Sequence, residues 1–131
     1  MKDKKARDVM TTRVVSVHAD TVLIEAIEML LRYGISGLPV VDDDEKLLGI
    51  VCEHDMMNFV FSGDAETTRV KEAMTPDVYT FPPEKTLAEI VNIFASRRIR
   101  HVPIAENGRL VGIVSRRDIL REMLRIYGRA G

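Results

Sequence analysis

Apolar positions near the C-terminus fall into two short runs, Arg100–Ala105 and Leu110–Ser115, each of strand length. Between them, Asn107-Gly108 predicts a two-residue hairpin turn, because both residues tolerate positive φ. The second strand leads into Ser115-Arg116-Arg117-Asp118, where a hydroxyl and a carboxylate lie three residues apart at a strand-to-helix junction. A helix capped by Ser115 presents N–H groups, the hydroxyl and nearby arginines to an anion. Asp118 can accept hydrogen bonds from a vicinal diol.

A second pattern precedes this hairpin in the N-terminal half. Val14–Val17 is predicted as a short strand, and Asp20 is predicted to cap a helix over Val22–Tyr33 that ends at Gly34. The apolar arc of this helix covers more than half of its circumference, which indicates packing against a sheet on one side and another helix on the other. Two strands, Gly37–Val41 and Leu47–Cys52, then form a hairpin, and a second helix begins near His54.

The chain repeats itself. Up to the hairpin turn, residues of the first half recur 64 positions later, as in Met10-Thr11 with Met74-Thr75 and Leu38-Pro39-Val40 with Val102-Pro103-Ile104. Beyond the turn the offset is 63 positions, as in Gly49-Ile50-Val51 with Gly112-Ile113-Val114. We therefore predict two copies, residues 6–61 and 70–127, joined by a linker over 62–69. Each copy is β-α-β-β-α with a right-handed parallel crossover, so the predicted class is α+β.

The second copy is predicted to contain a lead-in over Arg69–Met74, a strand over Val78–Phe81 and a helix over Thr86–Arg97. Its last helix, Arg117–Tyr127, has two faces: an apolar one with Ile119, Leu120, Met123, Leu124 and Tyr127, and a polar one with Arg121, Glu122 and Arg125. A single copy is too small to bury its apolar faces well. We expect the two copies to pack about a pseudo-twofold axis as one compact module.

Composition narrows the possible functions. The net charge is −1, which argues against nucleic acid as a partner, although residues 1–63 carry 7 basic against 11 acidic groups and residues 64–131 carry 12 against 9. The single cysteine, Cys52, suits a reducing compartment. Neither a membrane span of ~20 apolar residues nor a signal peptide is apparent, so a cytoplasmic protein is expected. The three histidines are far apart in sequence, and a metal site is not expected.

With these features the sequence resembles a tandem pair of CBS domains (cystathionine-β-synthase domains), the arrangement called a Bateman module. The resemblance covers about residues 6–127 and is carried by the Met-Thr leader, the I-x-x-h-P-h strand and the G-h-h-x-x-x-D strand end, each present twice in register. It implies a regulatory module that binds an adenosine nucleotide such as AMP, ADP or ATP in the cleft between the repeats. It also implies a homodimer formed through helices.

The resemblance implies composite sites, in which one repeat holds the base and the other contributes Ser or Thr and Asp for phosphate and ribose. The first pocket takes Thr11, Val14, Ser16 and Ile35 together with Ser115 and Asp118. The second takes Thr75, Val78, Thr80 and Ile99 together with Cys52 and Asp55. Arg100 and His101 are expected near the phosphates. Cys52 departs from the Ser or Thr of the pattern, and since a thiol donates weakly, the second pocket is expected to bind more weakly.

Catalysis is not expected, because the sequence offers no nucleophile beside a base, no metal cluster and no glycine-rich phosphate loop. The output must then act through another chain, an effector that the sequence does not identify. Two alternatives stay open at this point. One is a constitutive interaction or scaffold module with vestigial pockets, and the other is a module that binds S-adenosylmethionine or NAD.

Overall fold

The structure is a computed structural model that describes residues 3–61 and 63–129, with no description of the Val60 side chain; Ser62, the first residue of the predicted linker, lies outside this part. Within it, helices and strands follow one another in the following order: α1 Ala6–Val9, β1 Val17–His18, α2 Leu23–Tyr33, β2 Gly37–Val41, β3 Leu47–Cys52, α3 Glu53–Val60, α4 Val70–Ala73, β4 Thr75–Pro76, α5 Leu87–Arg97, β5 His101–Glu106, β6 Arg109–Ser115 and α6 Arg116–Ile126. The mixed α+β class is therefore confirmed.

The chain forms two compact units that do not follow the sequence repeats. Unit 2 is Val15–Val78, and unit 1 combines the residues up to Val14 with those from Tyr79 onward. Each unit therefore contains the hairpin of one repeat and the Met-Thr leader of the other. The Thr11 leader belongs to the unit that contains Asp118, and the Thr75 leader belongs to the unit that contains Asp55.

Unit 2 contains a four-stranded sheet in the order β1-β2-β3-β4. The β1–β2 pair is parallel, as the predicted crossover requires, and β2–β3 is an antiparallel hairpin. The leader strand β4 pairs antiparallel with β3, Thr75 opposite Ile50 and Pro76 opposite Gly49. The core lies between this sheet and its helices and consists of Val17, Leu23, Ala26, Leu30, Leu38, Val40, Val51, Met56 and Val70.

Unit 1 contains the antiparallel hairpin β5–β6. Asn107 and Gly108 both have positive φ, at 54° and 81°, which confirms the predicted two-residue turn. The leader joins this hairpin through two backbone hydrogen bonds between Thr11 and Ile113, of 2.9 and 3.0 Å. The core consists of Ala6, Leu87, Ile90, Phe94, Val102, Ile104, Val114 and Ile119.

Three sequence predictions of local structure were wrong. The strand predicted over Val14–Val17 is shorter and begins later, as the two-residue strand β1, Val17–His18. The strand predicted over Val78–Phe81 is reduced to a single β-bridge from Phe81 to Ile104. Pro82 follows Phe81 and has no N–H to extend that pairing.

The third error concerns the start of α2. Its N-cap is Val22 and not Asp20, whose carboxylate pairs with Lys71 Nζ at 2.9 Å. No side-chain cap is needed at Val22, because the N–H groups of Leu23 and Ile24 donate to the carbonyls of Thr68 and Ala65. Gly34 ends the helix in the left-handed conformation, as predicted.

Only part of the predicted apolar face of α6 is buried. Ile119 is buried, but Leu120, Met123, Leu124 and Tyr127 are exposed. Glu122, predicted on the polar face, is buried at 8% exposure and pairs with Arg125 and with Lys4. The N-terminal segment crosses this side of the helix and brings Lys4 to the carboxylate, which the helical periodicity of α6 alone does not reveal.

Candidate functional site

Asp118 is the centre of a polar cluster in unit 1, and only 8% of its surface is exposed. One carboxylate oxygen, Oδ2, accepts hydrogen bonds from the Ser115 N–H at 2.8 Å and from the Ser115 hydroxyl at 3.0 Å. The other, Oδ1, accepts from the Thr11 hydroxyl at 3.3 Å and from Arg121 Nη1 at 3.2 Å. Oδ2 is therefore bound by the chain's own cap, whereas Oδ1 has two longer bonds from groups on the surface.

Local structure explains this geometry. Ser115 ends β6 in an extended conformation and caps α6, and its hydroxyl accepts the Asp118 N–H at 3.2 Å, so the predicted cap is confirmed. Thr11 reaches the carboxylate because the leader lies against β6. Gly112 makes that approach possible, since a Cβ there would lie 2.5 Å from Met10 Sδ and 3.2 Å from the Thr11 carbonyl oxygen.

Unit 2 repeats the arrangement around Asp55, which is half-buried. Its Oδ2 accepts the Cys52 N–H at 2.8 Å, and its Oδ1 accepts the Thr75 hydroxyl at 3.0 Å. The two leaders thus have the same role, and each threonine bonds the aspartate at the start of the helix in its own unit. Here Gly49 allows the close approach of the leader, in the position that Gly112 has in unit 1.

Arg100 and His101 lie where β5 begins, and His101 pairs in register with Ser115. The Arg100 side chain is exposed, and its carbonyl oxygen accepts the Arg116 N–H at 3.0 Å. His101 is half-buried, and this burial lowers the pKa of its imidazole, with a further lowering from the charge of Arg100. Burial and the neighbouring guanidinium therefore both favour the neutral form of His101.

The other predicted site residues lie in loops or at strand ends. Ser16 and Ile35 belong to unit 2, with Ile35 packed against its core, and Val14 belongs to unit 1. Val78 belongs to unit 2, whereas Thr80 and Ile99 belong to unit 1, with Ile99 packed against its core. The structure brings together Thr11, Ser115 and Asp118 in unit 1 and Thr75, Cys52 and Asp55 in unit 2. The ligand roles of all these residues stay predictions.

Sequence reasoning missed two contacts at these clusters. It placed the threonines and aspartates in the same pockets but did not predict the direct Thr–Asp hydrogen bond, although the pair recurs in both repeats. It also placed Arg121 on the polar face of the last helix but did not predict its hydrogen bond to Asp118. The spacing of three residues on one helix was the available signal for that contact.

A surface cavity of about 550 Å³ lies in unit 2 and includes none of the predicted site residues. Its lining includes His18, whose Nδ1 lies 3.3 Å from Asp43 Oδ1, and an ion pair between Lys71 and Asp20. Lys71 also lowers the pKa of Asp20, mainly through their hydrogen bond. Both of these acidic side chains therefore already have a partner. The lining includes neither a helix-capping residue of the aspartate clusters nor a leader threonine.

Two β-hairpin units, each with a leader threonine bonded to a helix-capping aspartate, define a paired α+β module. The chain belongs to the CBS domain family, whose pattern matches residues 6–62 and 70–125. Its structure is similar to that of CBSX2 from Arabidopsis thaliana in complex with AMP, at 27% identity and a TM-score of 0.86, covering 94% of this chain and 98% of that one. It is also similar to the CBS domain pair of protein MJ0100 in complex with 5′-methylthioadenosine and S-adenosyl-L-methionine, at 25% identity and a TM-score of 0.79, covering 95% and 96%.

Among curated proteins, the chain is 36% identical over 119 residues to the inosine-5′-monophosphate dehydrogenase of Methanocaldococcus jannaschii, covering 90% of this chain and 23% of the enzyme. The chain spans less than half the length of the first curated relatives it matches. Within the described residues, no group of three or more metal-ligating side chains could hold a metal ion. In the same part of the chain, no helix is long and apolar enough to cross a membrane.

Proposed function

We propose that this CBS pair is a regulatory module that binds an adenosine nucleotide such as AMP, ADP or ATP. The Asp118 carboxylate accepts hydrogen bonds from the two ribose hydroxyls. The phosphate lies near Ser115, Arg100 and His101. The base is held by leader residues of the same unit, around Thr11 and Val14. Binding is passed on to an effector protein, and the module itself has no catalytic role.

The observation that carries this proposal is the state of Asp118 Oδ1. Its two partners, Thr11 at 3.3 Å and Arg121 at 3.2 Å, are more distant than the two donors to Oδ2, and both come from exposed residues. A diol can replace them without leaving a buried group unpaired, because Oδ2 keeps its bond from the Ser115 N–H at 2.8 Å. Asp118 Oδ2 thus holds the carboxylate in place, while the hydrogen bonds to Oδ1 can be exchanged for those of a ligand with adjacent hydroxyls.

The ligands of relatives support the same chemical class. CBSX2 was solved with AMP, and the MJ0100 pair was solved with 5′-methylthioadenosine and S-adenosyl-L-methionine. All three molecules contain adenosine, and therefore the ribose diol. The class is supported by this shared part, while the group on the 5′ carbon differs among them.

The Asp55 cluster is the second and weaker site in this proposal, with Thr75 and Val78 of the same unit beside it. Its aspartate has the same arrangement as Asp118, but Cys52 replaces Ser115 at the cap. A thiol is a weaker hydrogen-bond donor than a hydroxyl. Nucleotide should therefore fill the Asp118 site first.

We further propose that the protein is a cytoplasmic homodimer. Leu120 and Leu124 of α6 and Tyr127, its C-cap, are 60%, 41% and 75% exposed, which is a large apolar surface for one helix. Pairing through this helix would cover it. Light scattering should show a dimer at micromolar concentration, and Leu124→Arg should shift it toward monomer, with Arg129→Ala as the control; a monomeric parent protein would contradict the dimer.

Calorimetric titration of Asp118→Ala with AMP tests the nucleotide site. Loss of a charged hydrogen-bond partner should weaken binding by about 1.5–3 kcal/mol. Asp118 also completes the capping box of α6 by accepting the Ser115 N–H, so the variant should lose about 1 kcal/mol of folding stability. Asp118→Asn, which keeps the side-chain volume, serves as a second variant. The control is Asp43→Ala, an exposed carboxylate on a turn of unit 2. Unchanged AMP affinity in both Asp118 variants would refute the assignment.

A further inference from the structure

The two aspartate clusters share one backbone framework but have opposite charges around them. In unit 1, the Arg116 N–H donates to the Arg100 carbonyl at 3.0 Å, where β6 meets the start of β5. In unit 2, the Glu53 N–H donates to the Ser36 carbonyl at 3.1 Å, in the same place. Because the frameworks correspond, the side chains can be compared position by position.

At four compared positions unit 1 has an arginine where unit 2 has neither arginine nor lysine, and at a fifth unit 1 has a hydroxyl where unit 2 has a thiol. Arg100, Arg116, Arg117 and Arg121 correspond to Ser36, Glu53, His54 and Asn58, and Ser115 corresponds to Cys52. The start of α6 thus has four arginines around one carboxylate, Asp118. The start of α3 has two carboxylates, Glu53 and Asp55, and neither lysine nor arginine at the matched positions.

The arginines of unit 1 are available to a ligand. Arg100, Arg116 and Arg117 are exposed, and Arg121 bonds only one oxygen of Asp118 through Nη1 among its described contacts. Several guanidinium groups around the N-terminus of a helix favour an anionic group strongly, because their hydrogen bonds to phosphate are charge-assisted. Glu53 is also exposed and opposes such an anion at the start of α3.

We propose that the two clusters select adenosine ligands by the charge at the 5′ position. The Asp118 cluster takes a 5′-phosphorylated nucleotide, and the Asp55 cluster takes an adenosine whose 5′ substituent is neutral or cationic. This inference rests on the proposed function, because it assumes that each aspartate binds a ribose. It gives one chain two inputs, a nucleotide and a phosphate-free nucleoside.

Calorimetry with AMP and with 5′-methylthioadenosine as the neutral probe tests this assignment. In Asp55→Ala, where only the Asp118 cluster is intact, AMP should bind at least about tenfold more tightly than the neutral probe. Its affinity should fall between 50 and 300 mM salt, whereas the affinity of the neutral probe should not. In Asp118→Ala, the neutral probe should bind as tightly as AMP or more tightly.

Two surface substitutions test the charges without removing an aspartate. Arg116→Glu should reduce the preference of the Asp118 cluster for AMP, and Glu53→Arg should raise AMP affinity at the Asp55 cluster by about tenfold. Both residues are exposed and lie outside the cores, so folding should be preserved. The same AMP-to-probe ratio at both clusters, unaltered by these substitutions, would overturn the charge assignment alone. Binding of neither probe to the parent protein would overturn the proposed function and this inference with it.

Discussion

Replacing Gly49 by Ala should weaken the attachment of the leader strand β4 in unit 2. A Cβ at this position would lie 2.5 Å from the Thr75 carbonyl oxygen, 3.1 Å from Met74 Sδ and 3.3 Å from Pro76 Cα. Ordinary contact begins at 3.4 Å, so the Thr75 carbonyl must move by about 0.9 Å. Since the closest atom belongs to the backbone, rotation of a side chain cannot relieve the clash.

The cost follows from what that movement disturbs. Overpacking of this kind costs about 1–3 kcal/mol. Displacing Thr75 also weakens its 3.0 Å hydrogen bond to Asp55, worth about 1 kcal/mol. The lower entropy of the unfolded alanine chain offsets about 0.4–1 kcal/mol. The net loss in the free energy of unfolding should be about 2 kcal/mol.

Gly112→Ala is the matched control in unit 1. The atom 2.5 Å from its Cβ is Met10 Sδ, near the end of a flexible side chain, and the nearest backbone atom, the Thr11 carbonyl oxygen, is at 3.2 Å. Met10 can rotate, so the loss should stay within about 1 kcal/mol.

Thermal unfolding followed by far-UV circular dichroism measures both variants. At about 4 °C per kcal/mol, Gly49→Ala should melt about 8 °C below the parent protein and Gly112→Ala less than about 4 °C below it. The reasoning would be refuted if Gly49→Ala melted within 2 °C of the parent protein, or if Gly112→Ala melted at a lower temperature than Gly49→Ala.

Three further predictions concern single side chains. Burial lowers the pKa of His101, so the unfolded chain takes up a proton at a higher pH than the folded chain does. The free energy of unfolding should therefore decline from pH 7 to pH 5. Urea titrations should show a smaller decline for His101→Gln, and an equal decline would contradict the role of His101. Arg98 ends α5 with a φ of 53°, a left-handed conformation like that of Gly34 at the end of α2. Arg98→Gly should therefore raise the free energy of unfolding by about 0.5–1 kcal/mol, and Gly34→Ala should lower it. A lower melting temperature for Arg98→Gly than for Gly34→Ala would refute the comparison. Cys52→Ser should strengthen or create a second, weaker AMP-binding event in calorimetry and leave the first unaltered; a change in the first event alone would show that the two sites are assigned the wrong way round.

The sequence predicted most of the hairpins because their signals are local. Asn107-Gly108 determines its turn by conformational preference, and Gly34 ends its helix for the same reason. The boundaries of β2 and β3 agree with the prediction, since each is a continuous apolar run. The capping of α6 by Ser115 was also predictable, because it needs only residues three positions apart.

What the sequence did not reveal depends on contacts between distant segments. The N-cap of α2 is served by the carbonyls of Thr68 and Ala65, more than forty positions away, so Asp20 was left for Lys71. Glu122 is buried because Lys4 reaches it from the N-terminal segment. The bond from Thr11 to Asp118 joins residues 107 positions apart, and it depends on which unit the leader enters. Helical or strand periodicity contains no information about any of these.

Parallel calorimetric titration of the parent protein with AMP, ATP, S-adenosylmethionine and NAD tests the proposed adenosine-binding function most directly. At least one of these ligands should bind with saturable heat, and AMP or ATP should bind more tightly than S-adenosylmethionine at the first site filled. The same titration of Asp118→Asn should show that site lost or strongly weakened. Absence of binding by all four ligands to a folded parent protein would contradict the proposed function and favour a constitutive interaction module.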